Sequence, residues 1–201
     1  MGGDVMRRVQ PAVSMTLAVV LAILGLSCAS GGDKAPRTPT VFDSKSGQGQ
    51  VWVSLTLARQ RMGENFIPLV VAVYNRESRS VKLDRSSFVL VDSAGERYSM
   101  PEIPELREGY SRVNFDLSTV VVYGIPFGTL LQEDRYMPAN FFPATKQNQG
   151  VKIDSLFLPR LYWTVDLLYL HRPPQLEKGS TFTLEVSGEG WDEPMKVPFT
   201  L

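Results

Sequence analysis

One cysteine, one histidine and no net charge set the first bounds on this 201-residue sequence. A lone cysteine excludes an internal disulfide framework and any site of clustered thiolates. A lone histidine excludes a two-histidine metal site and makes His171 the obligatory base of any Ser-His-Asp arrangement. In the context Tyr-Leu-His-Arg-Pro-Pro, at a strand exit, His171 reads as a solvated turn residue. Lysine and arginine number 21 against 21 aspartate and glutamate, so no overall field gathers a phosphate backbone and no nucleic-acid partner is expected. The Gly-x-x-x-x-Gly-Lys-Ser/Thr loop is missing, as is a Gly-x-Gly-x-x-Gly run after a strand, so neither a nucleotide nor another cofactor is expected. No Asp-x-Asp calcium loop occurs, and no metal site is expected.

What is present suits a folded domain. Hydrophobic residues at 43% and charged residues at 21% allow a buried core. Acidic residues gather at Glu102, Glu105 and Glu108, at Glu133 and Asp134, and at Asp192 and Glu193. Such groups serve glycoside hydrolysis only if they converge in space, and they read better as solvated faces. Asp166 is different, because it interrupts an apolar strand opposite the face of Trp163 and needs either an arginine partner or solvent.

Residues 1–27 have the three-part form of an export signal: Arg7 and Arg8, the apolar run MTLAVVLAILGL, and small residues before Cys28. No charge falls between Arg8 and Asp33, and that stretch also reaches across a bilayer of about 30 Å. An uncleaved anchor is therefore the alternative to a cleaved signal. Residues 29–50 are rich in Gly, Pro, Ser, Thr and Lys, the composition of a flexible tether. Without residues 1–27 the chain loses Arg7, Arg8 and Asp4, leaving 19 basic and 20 acidic side chains and nothing that draws it electrostatically to lipid.

The run Leu24-Gly25-Leu26-Ser27-Cys28 resembles the lipobox of bacterial lipoproteins, where Ala, Gly or Ser precedes the cysteine. Leu more often stands three residues before the cysteine, and this chain has Gly25 there. The resemblance implies cleavage after Ser27, a diacylglycerol thioether on Cys28 and acylation of the new amine. Two or more acyl chains give durable anchoring where one gives marginal binding. Ala29, being other than Asp, resembles the pattern that sorts lipoproteins to the outer membrane, facing the periplasm.

From residue 51 the pattern becomes β-like. Val51, Val53, Leu55 and Leu57 alternate with Trp52, Ser54, Thr56 and Ala58, and Ile67, Leu69, Val71 and Val73 repeat the period. Val81-Lys-Leu83 is a short strand, and residues 88–91 and 96–100 form a hairpin around Asp92-Ser-Ala-Gly95, with Gly95 supplying a positive φ. Residues 119–123 read as a strand, 161–170 as another, and 181–186 with 195–201 as a final hairpin whose Pro198 implies a free edge. Six prolines from Pro101 to Pro159 break the middle of the chain, and no helical period stands out.

Seven to eight short strands predict an all-β fold, an antiparallel β-sandwich over residues 51–201. The segment from Phe66 to Tyr98 resembles the immunoglobulin-like domain of many small bacterial lipoproteins. That resemblance implies binding or accessory roles without shared catalytic residues. The long connection at residues 124–150 carries prolines and aromatics, and it either seals the core or forms a docking surface with Arg135, Tyr136, Phe141 and Phe142 as anchors. The expected function is thus a membrane-anchored, non-enzymatic binding or accessory module of the cell envelope, with membrane lipid and an envelope protein as partners. A glycan or lipid hydrolase and a surface adhesin are the alternatives.

Overall fold

The computed structural model describes residues 40–123, 135–142 and 152–201. The chain divides into two units, Met1–Thr38 and Pro39–Leu201, and every described residue belongs to the second. Its elements run β1 (Val41–Lys45), β2 (Gly49–Ser54), α1 (Thr56–Gln60), β3 (Phe66–Asn75), β4 (Val81–Asp84), a 3-10 turn (Arg85–Ser87), β5 (Phe88–Asp92) and β6 (Arg97–Tyr98). There follow α2 (Ile103–Gly109), α3 (Val113–Tyr123), β7 (Ser155–Leu158), β8 (Trp163–His171), β9 (Thr181–Val186) and β10 (Met195–Thr200).

The described residues are mostly β, consistent with an all-β fold, and every pairing between the named strands is antiparallel. One four-stranded sheet has the order β1-β2-β3-β8, a second has the order β10-β9-β5-β6, and β4 pairs with β7. β10 lies against β1 and β2, where Phe42 meets Phe199 with ring centroids 6.2 Å apart. β3 is buried along nearly its whole length, so its sequence is a near-continuous apolar run rather than a strict alternation. Pro68 is tolerated there because it lies past the end of β2, where β3 has β8 alone beside it. Gly95 closes the β5–β6 hairpin with φ 88°, and Pro198 sits in β10 at a sheet edge, both as expected from the sequence.

Several expectations are corrected. The folded unit starts before residue 51: β1 occupies part of the segment read as tether, as an edge strand with Phe42 and Ser44 half-buried and Asp43 and Lys45 exposed. Only Val41 and Phe42 of this strand pack on the core, a weak apolar signal, and charges on an edge strand discourage pairing with another chain. Residues 56–58 are helical, because Leu57 and Ala58 are both buried and a one-sided strand cannot bury neighbours together. Residues 119–123 complete α3. The local preference of Thr-Val-Val-Val for strand is overridden by the first turns, where Val113 and Asp116 are buried and Leu117 is half-buried at helical spacing. β7 was not anticipated, and it brings the strands to ten among the described residues against the seven or eight expected.

Asn75 ties the end of β3 to its surroundings. It is fully buried; its side-chain amide donates to the Arg79 and Leu158 carbonyls, each at 2.9 Å, and its side-chain oxygen accepts from Glu77 N–H at 2.9 Å. Its carbonyl accepts from Leu161 N–H at 2.8 Å, which holds Leu161 at φ 63°, a left-handed conformation costly for a residue with a Cβ.

Candidate functional site

Two carboxylates, Asp116 fully buried and Asp166 half-buried, lie on elements that bring the aromatic segment 135–142 and the helices onto the first sheet. The first is Asp116 on α3, fully shielded from solvent. Arg61, just past α1, donates to Asp116 Oδ1 from Nη2 at 3.0 Å and from Nε at 3.3 Å, while the Tyr110 hydroxyl donates to Oδ2. The Arg61 guanidinium also lies 5.7 Å from the Phe115 ring centroid. Burial alone disfavours the Arg61 charge, but Asp116 outweighs it and holds that guanidinium above its ordinary value. Burial first, then the bond to Asp116, pushes the Tyr110 phenol far above its ordinary value. Tyr110 in turn packs on Tyr169 with centroids 5.3 Å apart, and the buried Tyr169 hydroxyl has no hydrogen-bond partner among the described residues.

The second carboxylate is Asp166 on β8. Leu167 N–H donates to its Oδ1 and Phe141 N–H to its Oδ2, both at 2.8 Å. Upstream on the same strand edge, Trp163 N–H donates to the Arg135 carbonyl at 3.1 Å and Met137 N–H to the Trp163 carbonyl at 2.9 Å. Tyr136 stacks on Trp163 with centroids 4.9 Å apart. Asp166 therefore continues, by its side chain, the docking that backbone pairing begins at Trp163. Among the described residues its hydrogen-bond partners are two backbone amides rather than an arginine.

Burial pushes the Asp166 carboxyl up to about 7, against the two amide donors that pull it down. A carboxyl raised in this way binds its proton more tightly in the folded state than in the unfolded one. Its contribution to stability is complete below about pH 4 and declines as pH rises towards about 7. Thermal midpoints between pH 4 and pH 8 are expected to fall with that slope, and Asp166→Asn is expected to flatten it. An unchanged slope in the variant would assign the titration to another group.

The four residues expected as docking anchors separate into two pairs. Arg135 is exposed and Tyr136 half-buried, whereas Phe141 and Phe142 are each 1% exposed. Phe141 packs on Phe88 with centroids 5.9 Å apart, and Phe142 meets Tyr169 edge-on at 5.4 Å with the Arg85 guanidinium 5.0 Å from its ring centroid. The two phenylalanines are thus part of the core, and this stretch of the connection seals it. Cys28, Glu133 and Asp134 lie outside the described residues.

The other candidates do not assemble. His171 ends β8 with Nδ1 3.6 Å from Glu105 Oε1 and its ring 5.6 Å from that of Phe66. Glu102 reaches Arg85 at 3.4 Å, and Glu105 accepts from Glu102 N–H at the start of α2, so these acids serve a helix end and a surface pair. Among the described residues no group of three or more His, Cys, Asp or Glu has the geometry to hold a metal ion, and no helix is long and apolar enough to cross a membrane. Asp116, Arg61 and Tyr110 went unrecognised in the sequence, although Val113, Asp116 and Leu117 share the spacing of one helix face. Comparison with protein-family models, curated proteins and solved structures returns no match for this chain.

Proposed function

We propose that this chain is a lipid-anchored, non-enzymatic binding or accessory module of the cell envelope, acylated at Cys28 and facing the periplasm from the outer membrane. The observation that carries the reading is the position of Cys28. It closes an export signal with Ser27 before it, and β1 opens at Val41, so only residues 29–40 separate the acylated position from the folded unit. At full extension such a segment spans no more than about 45 Å. The two four-stranded antiparallel sheets, with β10 against β1 and β2, are read here as an immunoglobulin-like sandwich.

The test is fractionation with metabolic palmitate labelling. The natural chain is expected in the membrane fraction and labelled, and Cys28→Ser unlabelled and in the soluble fraction. A Cys28→Ser protein that stays membrane-bound would identify residues 9–32 as a spanning anchor and overturn the lipid reading.

A further inference from the structure

Between the β5–β6 hairpin and the connection from β8 to β9 lies a cleft of about 390 Å³, within the roughly 300–1,000 Å³ of small-ligand sites. Tyr98, Phe182, Pro173 and Pro174 give it apolar walls, Asp92 and Glu96 are its charged lining, and among the described residues no lysine or arginine lines it. The strand register explains the sorting. Tyr98 stands opposite Leu90 and Phe182 opposite Asp92, so a period of two puts Tyr98, Asp92 and Phe182 on one face of the sheet. Arg97 points to the other face, where it meets Glu185 at 2.7 Å.

Asp92 is fixed in place as an anion. Ala94 and Glu96 N–H donate to its Oδ1 at 2.8 and 2.9 Å, and the Tyr98 hydroxyl donates to its Oδ2 at 3.0 Å. Partial desolvation works against the charge, yet these bonds hold the carboxyl below its ordinary range. An electron-rich ring hydrogen-bonded to a carboxylate, with a second carboxylate beside it and no competing cation, matches the chemistry that recognises organic cations.

We propose that this cleft binds a guanidinium or ammonium group, seated against Tyr98 and facing Asp92 and Glu96. The apolar walls accommodate the methylene stem of such a ligand while the charge stays at the carboxylates. The site is independent of the anchor: Cys28→Ser is expected to leave cleft binding unchanged, so failure of one reading is distinguishable from failure of the other.

The experiment is an NMR titration of the full chain in detergent micelles, following the amides of Ala94, Gly95 and Glu96. The probes are N-acetyl-arginine amide and its neutral counterpart N-acetyl-citrulline amide. Arginine amide is expected to shift these amides saturably, with citrulline amide at least about tenfold weaker. Glu96→Gln leaves the backbone bonds to Asp92 in place and is expected to weaken binding several-fold, and Tyr98→Leu by about tenfold. A tripeptide, N-acetyl-Ala-Arg-Ala amide, separates two sources: tighter binding than the single residue indicates a basic side chain on a polypeptide, and equal or weaker binding a free small cation. Equal shifts from arginine and citrulline amides, or arginine binding unaltered by both variants, would overturn the proposal.

Discussion

Asp116→Ala is expected to destabilise the folded unit by about 3–5 kcal/mol, because removing one member of a buried ion pair leaves its partner uncompensated. Arg61 is only 11% exposed on its side chain, so the abandoned guanidinium cannot simply turn to water. Tyr110, at 2% exposure, loses its acceptor at the same time. For a chain of this length the loss corresponds to roughly 10 °C or more in thermal midpoint, and a shift of the denaturant midpoint at constant m-value checks it. Arg61→Met in the Asp116→Leu background should recover much of the loss, since a buried pair replaced by apolar groups of similar volume is often neutral. A loss below about 1 kcal/mol for Asp116→Ala would mean that the pair behaves as a surface salt bridge. The pair matters because it anchors the first turns of α3: Val113 and Asp116 are buried and Leu117 is half-buried against the domain, while Phe115 and Ser118 face solvent.

The strands buried on one face, or bounded by clear turns, were legible in the sequence. Asp92-Ser-Ala-Gly95 announced its hairpin, and Pro198 its edge, because turn chemistry and a missing N–H are local properties. Val51 to Ser54 and Ile67 to Val73 were readable for the same reason, since alternation or a dense apolar run does not depend on what lies opposite. Three things were not local. α3 needs Arg61 from more than fifty positions upstream to accept Asp116, so its Val-rich end read as strand. β1 is defined by its neighbour β2 and by one ring, Phe42, lying on Phe199. Phe141 and Phe142 have the same composition whether they seal a core or face a partner. What decides between these is the Asp166 carboxylate on β8, and sequence spacing does not reveal that contact.

Phe141→Ala and Phe142→Ala are each expected to lower stability by about 3–5 kcal/mol, the range for truncating a buried phenylalanine when the surroundings only partly collapse. A docking surface would give the opposite result, with partner capture lost and the thermal midpoint nearly intact. Phe142 should prove the more sensitive of the two to shape, because its ring touches Tyr169 edge-on and carries Arg85 over its face. Phe142→Leu keeps part of the apolar volume but forfeits both aromatic contacts, so it should fall between the natural chain and the alanine variant. Phe141 is also tied to Asp166 through its backbone. Phe141 donates its amide to that carboxylate, so truncating its side chain should speed hydrogen exchange at the amides of Met137 and Phe141 before exchange rises in the middle of β3. Simultaneous loss of protection in both places would mean that the segment opens only with the whole domain. Earlier loss at Met137 and Phe141 would make residues 135–142 a separately opening cover on the β8 edge, latched by one carboxylate whose grip changes between pH 4 and about 7.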